Sequence, residues 1–595
     1  MKTIENGRFL INQGRNLREG VFASESGDKA EITVWCRDAS DCRLCLYRGK
    51  KLLYKVPMFS MIELGAPDLF SLRLEGEGLT VFLEQCEYIF EAGGRLINDP
   101  YMRATAGRET FGRKAKLRGR FSFQRFDWSG EKRVCIPYEN MILYQCHLRG
   151  FTKHRSSGVE HPGTFSGFAE KNSYLQDLGV NTILFQPIYD FNEWMDVGEK
   201  KVNFWGYTGD ACYFAPKASY AADGSRAAEE MKQMIKKIHQ SGMNILMDIH
   251  FVNRSPEFIV RCLKYYVIMY HVDGFLVNTD VVSKAWIDED PVLRQCKFLG
   301  SRWDWGSLVN GQKKLGVFND EFSTVARRFL KSDEGQVADF FRLFKADERE
   351  TGRIHYITQK NGFTLRDLVS YDVKHNEANG ERNNDGTEFN YSWNCGQEGP
   401  SRKKVVNAMR LRQTKNALCM LLLGLASPML LAGDEFCRTQ KGNNNAYCHD
   451  NASTWVDWNL LEKNPEVYEF AKMLIRFRTQ CPLYDREEAL TGMDTRGVGA
   501  PGVSGHGIEP WEVNVSYYSR EIGILFYGTY YGGASIYMIF NFHWDAHEFY
   551  LPVVNSTKKW NVLFDTGQDT DAEKKSGIKQ YVVSPRSVVV FESEK

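Results

Sequence analysis

The sequence has almost no net charge and no long, unbroken apolar run. Its 595 residues carry a formal charge of +1, which gives no electrostatic reason to bind nucleic acid or an anionic membrane surface. The longest apolar run, residues 417–433, contains Ser427 and Pro428 and is short for a membrane span. We expect this run to form a buried helix followed by a buried strand, and we predict neither nucleic acid nor a membrane as a partner.

The first residues also lack the apolar segment of a secretory signal peptide. We therefore expect a cytoplasmic protein whose 14 cysteines are reduced thiols and not disulfides. Cys42 and Cys45 form a C-x-x-C pair, but they fall in a strand-like stretch, where a spacing of three residues places them on opposite faces. Neither a metal site nor a cofactor is predicted.

Three segments of the chain differ in their periodicity. Residues 1–112 and 481–595 contain short alternating runs separated by turns, which is typical of β-sandwiches. Residues 113–480 alternate short apolar runs with amphipathic helical stretches, which predicts βα units around a parallel sheet. The predicted fold class is α/β, with a (β/α)8 barrel between two β-sandwiches. The strands predicted in the outer domains are residues 30–35, 43–47, 70–74, 81–84, 88–92, 513–518, 523–528, 535–541, 548–552 and 588–592.

Eight βα units can be counted in the middle segment, enough to close a barrel. The predicted barrel strands are residues 141–147, 180–186, 244–248, 272–278, 297–301, 315–319, 354–358 and 428–432. Chemistry in such barrels lies at the carboxyl ends of the strands. The fourth strand ends in three polar residues, Asn278, Thr279 and Asp280, which mark the expected site.

Long segments of the sequence match motifs of one known family. Residues 144–152 (YQCHLRGFT) resemble the Y-E-x-H-V-R-G-F-T motif of pullulanase and isoamylase-type enzymes, and residues 205–207 match their W-G-Y. Residues 271–280 are similar to the fourth-strand motif D-G-F-R-F-D of the α-amylase superfamily. Further segments, close to signatures of bacterial glycogen-debranching enzymes, are residues 374–381, 390–400, 431–436 and 442–447.

By this resemblance the chain is identified as a member of glycoside hydrolase family 13, of the isoamylase or glycogen-debranching type, with degenerate active-site motifs. Residues 96–101 are similar to the junction that follows a family 48 carbohydrate-binding module, so the resemblance implies such a module at residues 1–112. The implied partner is an α-glucan such as glycogen or a maltooligosaccharide.

The chemistry that the family implies is retaining glycoside hydrolysis, which needs a carboxylate nucleophile and a carboxylic acid about 5–5.5 Å apart. By resemblance, Asn278 occupies the nucleophile position, Ser301 the acid/base position and Asn361 the position of a third carboxylate. Leu276 and Lys360 replace the family's arginine and histidine. An amide is a poor nucleophile and a hydroxyl has no acidic proton near neutral pH. We therefore expect no useful hydrolysis by the family mechanism.

The resemblance also assigns residues to sugar binding. Tyr207 matches the tyrosine that stacks on the sugar at the cleavage subsite, and Asp248 is retained from the third-strand motif. Trp205, His375 and Asn376 lie in matched segments. For each of these residues the alternative is a scaffold role, as a buried aromatic ring or a side chain that pins a loop.

The connection between the third and fourth strands is short. The family usually inserts a subdomain there, which forms one wall of the substrate cleft. In this chain residues 248 and 273 are 25 positions apart, enough for one helix near residues 256–270. A wall of the cleft is therefore expected to be missing.

Three functions remain open. The chain could be a non-catalytic homologue that binds α-glucan or assists an active debranching homologue. It could be an active debranching enzyme of α-1,6 branch points with displaced catalytic residues, or a protein-interaction scaffold. The residues considered for displaced catalysis are His250, Asp280, Asp288, Glu289 and Asp304.

Overall fold

The computed structural model describes residues 2–594 apart from residues 198, 304–314, 347–351, 487, 555–558 and 569–575. It contains an N-terminal pair of sheets, a closed eight-stranded barrel and a C-terminal pair of sheets. This architecture confirms the predicted fold class.

Two six-stranded antiparallel sheets form the N-terminal domain. Alternate residues of each strand face the space between the sheets, and side chains such as Ile32, Leu44 and Leu72 fill it. The first sheet contains Lys2–Ile4, Phe9–Asn12, Gly20–Ala23, Lys29–Trp35, Phe59–Met61 and Ala66–Glu75. The second contains Cys42–Arg48, Lys51–Pro57, Glu87–Ala92, Arg95–Ile97, Thr105–Ala106 and Arg118–Arg120.

Two details of this domain differ from the prediction. Residues 81–84 were expected to be a strand but belong to the helix Leu79–Glu84, because Leu79, Phe82 and Leu83 have helical spacing and bury one face. Arg118–Arg120 pairs with Glu87–Ala92, so the sheet continues beyond residue 112.

The barrel consists of eight parallel strands in chain order, and all eight predicted strands are confirmed. They are Leu143–Cys146, Thr182–Phe185, Asn244–Ile249, Gly274–Val277, Lys297–Gly300, Leu315–Phe318, Gly352–Tyr356 and Ser427–Leu431. Large apolar side chains, among them Leu184, Leu246 and Leu299, fill the interior. The barrel is therefore a packed core, and any site must lie at its carboxyl rim.

Helices surround the barrel and link its strands. They are Leu148–Thr152, Phe165–Ala169, Asn172–Leu178, Ala227–Gln240, Pro256–Tyr270, Lys284–Glu289, Asp320–Leu330, Val337–Phe344, Leu365–Leu368, Lys404–Leu422, Asn459–Lys463 and Pro465–Gln480. Two small sheets, Tyr189–Phe191 with Ala211–Pro216 and Trp194–Val197 with Glu199–Val202, lie between the second and third strands.

A single helix, Pro256–Tyr270, connects the third and fourth strands, as the spacing predicts. Ser255 caps its first turn by accepting a hydrogen bond from the Phe258 N–H, and Pro256 occupies the first helical position. His271 ends the helix in a left-handed conformation with φ of 57°, and the chain enters the fourth strand three residues later. The single capped helix accounts for the connection between the third and fourth strands, which therefore contains no inserted subdomain.

The C-terminal domain contains a five-stranded and a two-stranded sheet. Residues 513–518, predicted as a strand, are not one: the side chains of Val513, Val515, Tyr517 and Tyr518 are exposed, so the alternation does not mark a half-buried face. The strands are Val503–His506, Glu521–Phe526, Ile536–Asn541, His547–Tyr550, Trp560–Asp565, Gln580–Val583 and Ser587–Ser593.

No helix in the described part of the chain is long and apolar enough to cross a membrane. Among the described residues no group of three or more His, Cys, Asp or Glu side chains is arranged to hold a metal ion.

Candidate functional site

The three substituted positions lie at the carboxyl rim of the barrel. Asn278 directly follows the fourth strand, Ser301 directly follows the fifth, and Asn361 lies five residues after the seventh. The barrel therefore presents these side chains at the rim where the family's carboxylates would be expected. Ser301 and Asn361 are exposed, whereas Asn278 is partly buried.

The side chain of Asn278 makes two hydrogen bonds to the backbone of the loop after the third strand. Its Oδ1 accepts a hydrogen bond from the Phe251 N–H at 3.1 Å, and its Nδ2 donates to the Phe251 carbonyl oxygen at 2.9 Å. A carboxylate could accept the first bond but could not donate the second. Asparagine at this position therefore joins two neighbouring strand ends.

Ser301 faces the fourth strand. Its Oγ lies 3.3 Å from the Thr279 Oγ1, so the two hydroxyl groups link the ends of adjacent strands. Neither group is an acid near neutral pH. The position that the family resemblance assigns to the acid/base thus carries a neutral hydroxyl pair.

Lys360 reaches across the rim to the retained carboxylate. Its Nζ lies 2.5 Å from Asp248 Oδ2 and 4.1 Å from the centroid of the Tyr207 ring, and it also contacts the Tyr207 hydroxyl. The Tyr207 hydroxyl in turn donates to Asp248. The ammonium group therefore covers the ring to which the family resemblance assigns sugar stacking.

Burial shifts the pKa of both charged partners. Removal from water lowers the pKa of Lys360 to about 7 and raises the pKa of Asp248 well above its usual range. With one proton between the two groups, which lie at hydrogen-bond distance, the pair has no net charge whichever atom holds it. The negative charge that Asp248 could offer a cationic transition state is consequently neutralised.

A small cavity lies beside Lys360, and neither Tyr207 nor Asp248 lines it. The cavity between Trp205, Gln145 and Lys360 has a volume of about 30 Å³, far below the roughly 300–1,000 Å³ of small-molecule sites. The backbone N–H of Lys360 donates to Gln145 Oε1 at 2.8 Å, which fixes the lysine at the rim. A sugar ring does not fit in this cavity as it stands.

The other residues assigned to sugar are spread over the surrounding loops. Trp205 is partly buried, and its ring centroid lies 6.3 Å from that of Tyr447. His375 is more exposed and lies 3.3 Å from Glu398. Asn376 is fully buried, and its amide bonds to Asp385 and Asn444. Asn376 therefore pins loops together at this rim.

The described carboxylates considered for displaced catalysis lie just after the fourth strand and on the helix Lys284–Glu289 that follows it. Asp280 is exposed and lies 3.3 Å from the Arg302 guanidinium group. Asp288 lies 3.5 Å from the ammonium group of Lys284, and Glu289 belongs to the same helix. His250 is partly buried near Tyr207, and burial lowers its pKa, while Asp304 lies outside the described residues.

A buried acidic pair after the eighth strand was not singled out from the sequence. Glu435 accepts hydrogen bonds from the hydroxyls of Tyr144 and Tyr174, at 2.6 and 2.5 Å, and Asp434 accepts from Thr358 and from the Leu365 N–H. Burial raises the pKa of Asp434 to about 7. Two adjacent acidic residues, beginning three positions after a buried strand, were the available signal.

Comparison with known proteins identifies the class. The model of the α-amylase catalytic domain matches residues 125–307. The chain is 29% identical over 636 residues to isoamylase 1, chloroplastic, of Arabidopsis thaliana, which covers 86% of this chain and 78% of that protein. It is 32% identical to the glycogen debranching enzyme of Erwinia tasmaniensis over 440 residues, covering 61% of this chain and 66% of that protein.

A solved structure with the same fold is pullulanase type I from Bacillus subtilis, crystallised with maltose. It has a TM-score of 0.74 and 17% identity and covers 98% of this chain and 86% of its own. The chain therefore contains an α-amylase family catalytic domain, matched over residues 125–307. Its homologues are of the isoamylase and glycogen-debranching type.

Proposed function

We propose that this chain is a non-hydrolytic member of the isoamylase type that binds α-glucan, alone or together with an active debranching homologue. The observation that carries the proposal is the position of Lys360. Its ammonium group neutralises Asp248 at 2.5 Å and covers the ring of Tyr207 at 4.1 Å. The one carboxylate retained from the family's subsite is thereby withdrawn from chemistry.

The remaining substitutions support the same proposal. The nucleophile position is the amide of Asn278, which is already bonded to Phe251. The acid/base and third carboxylate positions are Ser301 and Asn361. Retaining hydrolysis without a carboxylate pair has neither a nucleophile nor a proton donor.

A surface of the N-terminal domain is suited to hold a sugar chain. Trp35 is 53% exposed and lines an open cleft of about 380 Å³ together with Leu17, Pro67 and Asp68. An exposed indole offers a flat apolar face at low entropic cost, and a nearby carboxylate can accept hydrogen bonds from sugar hydroxyls. This cleft is the proposed contact with α-glucan.

Two measurements on one preparation of the full chain test the proposal. Release of reducing ends from glycogen, amylopectin and pullulan is expected to stay at the level of a blank. Retardation of the protein in glycogen-containing native gels is expected, and Trp35→Ala should reduce it several-fold. The matched control is Leu96→Ala, which removes another exposed apolar side chain of the same domain.

The outcomes separate the alternatives. Hydrolysis that is lost on changing Asp280 would identify an active debranching enzyme with displaced residues. Absence of both hydrolysis and glucan binding, together with a stable co-purifying protein, would identify an interaction scaffold. The exposed position of Asp280 beside Arg302 does not favour the first of these, and the cytoplasmic location stays a prediction.

A further inference from the structure

A second cleft lies between the N-terminal domain and the barrel helix Pro256–Tyr270. Its lining residues differ from those of the barrel rim. Its volume is about 420 Å³, within the range of small-molecule sites. Aromatic rings form part of its lining: the ring centroids of Tyr101 and Tyr265 lie 5.3 and 5.4 Å from that of Phe214. The strand Gly20–Ala23 supplies the opposite wall.

Three guanidinium groups converge on one ring in this cleft. The guanidinium carbons of Arg18, Arg103 and Arg261 lie 5.2, 5.6 and 5.6 Å from the centroid of Phe22. Each contact is a favourable cation–π interaction of about 0.5–1 kcal/mol at an exposed site. The ring does not remove the charges, however, so the three cations still repel one another.

The acidic groups of the cleft do not balance these cations. Arg261 donates to the backbone carbonyl of Glu19, and burial together with the charges of Arg18 and Arg103 lowers its pKa. Within the described residues, Arg18 and Arg103 form no ion pair. The charged side chains that line the cleft are Arg18, Arg103, Arg261 and Lys264 against Glu257. The carboxyl group of Glu19 lies near Arg261 and offsets part of its charge, and Lys264 is already paired with Asp290 at 2.7 Å, so positive charge remains in excess.

We propose that this cleft binds a phosphate ester of a small organic molecule, either a nucleotide or a sugar phosphate. Guanidinium groups bind phosphate through two parallel hydrogen bonds, which Arg18 and Arg103 are free to form. The apolar side chains of Ile268 and Met269, 55% and 38% exposed, offer a surface for the organic part. This site does not depend on the proposed function of the barrel rim.

Isothermal titration of the full-length protein in a phosphate-free, low-salt buffer tests the proposal. The probes are ADP, glucose 1-phosphate and inorganic phosphate. At least one ester should bind about tenfold or more tightly than inorganic phosphate, and Arg103→Gln should weaken it by about tenfold or more. Arg18→Gln is a second variant, because Arg18 is exposed and its loss leaves the fold intact.

The control is Arg226→Gln. Arg226 lines a different cleft, beside the helix Ala227–Gln240, and pairs with Glu229 at 2.6 Å. Its substitution should leave the affinity unchanged. Preference for ADP or for glucose 1-phosphate distinguishes the two sources of the ester. The proposal is overturned if neither ester binds, if inorganic phosphate binds equally well, or if the loss of affinity follows Arg226→Gln instead of Arg18→Gln and Arg103→Gln.

Discussion

The Nζ of Lys360 lies 2.5 Å from the Oδ2 of Asp248, across the mouth of the barrel. In the sequence these are two separate facts, a retained aspartate and a lysine in place of a histidine. In the fold the two side chains act as a pair, because the lysine neutralises the carboxylate and covers the neighbouring Tyr207 ring. Asn278 is likewise bonded to the loop that follows Asp248. The residues that replace the family's residues at the barrel rim therefore make compatible contacts.

Lys360→Met should destabilise the protein, because it leaves the carboxyl group of Asp248 buried without its partner. Breaking a buried pair by removing one member costs about 3–5 kcal/mol when the other stays charged. Burial already raises the pKa of Asp248 in the parent, and removing the neighbouring ammonium group raises it further, so the fold of the variant tolerates the unpaired carboxyl only while it is protonated. The deficit of the variant in unfolding free energy should be smallest near about pH 4 and should grow as the pH rises.

Urea unfolding of the parent and variant between pH 4 and 8 measures this deficit. Adding Asp248→Asn to Lys360→Met should recover part of the stability at pH 8, since no buried charge then remains. Lys50→Met, which changes an exposed lysine in a turn, should stay within about 0.5 kcal/mol of the parent. Equal deficits at pH 4 and pH 8 would contradict the buried-pair argument.

Asn278→Asp should lower stability and should not create hydrolysis. The new carboxylate cannot donate to the Phe251 carbonyl oxygen and would face it, which costs about 1–3 kcal/mol for an unsatisfied buried acceptor. Thermal unfolding compares this variant with Asn384→Asp, a change of an exposed asparagine that is expected to be nearly neutral. Unchanged stability of Asn278→Asp would show that the two bonds to Phe251 contribute nothing.

The sequence predicted the barrel well for a physical reason. Each strand is a short apolar run between turn signals, and a closed barrel buries such runs completely, as in Asn244–Ile249. Prediction failed where local spacing admitted two structures, as at Leu79–Glu84, where a three-residue apolar run belongs to a helix. In residues 513–518 the alternation was real, but the apolar side chains are exposed.

The candidate site could be predicted only in part. The positions of Asn278, Ser301 and Asn361 followed from the motifs, because parallel strands end at one rim. The pairing of Lys360 with Asp248 joins residues 112 positions apart, and no local pattern contains such a contact. The hydrogen bonds from Asn278 to the backbone of Phe251 could not be predicted either, because a backbone partner does not depend on the residue type.

Restoring the three carboxylates alone should not restore hydrolysis. In the triple variant Asn278→Asp, Ser301→Glu and Asn361→Asp, Lys360 would still cover the Tyr207 ring and neutralise Asp248. Reducing-end release from pullulan is expected to stay at the level of the parent, in a preparation shown by circular dichroism to be folded. Release clearly above the parent would mean that the lysine does not close the subsite.

His147 should make the stability fall in acid. Its Nδ1 accepts a hydrogen bond from the Gly150 N–H at 3.0 Å, and its Nε2 donates to the Phe204 carbonyl oxygen at 2.8 Å, so the buried ring must be neutral. Burial lowers its pKa from 6.5 to about 4. Between these values the unfolded chain binds the extra proton, so the contribution of the neutral ring is present above about pH 6.5 and is lost as the pH falls towards 4.

The loss amounts to about 3 kcal/mol at most, since each unit of pKa corresponds to about 1.4 kcal/mol. His147→Asn removes the titrating group and keeps a side-chain acceptor for the first turn of the helix Leu148–Thr152. The difference in unfolding free energy between parent and variant should therefore shrink, and can reverse sign, as the pH is lowered from 6.5 to 4. A difference that stays constant over this range would mean that the ring takes up its proton at the same pH in the folded protein as in the unfolded chain, and that the hydrogen bond from Gly150 does not hold it neutral.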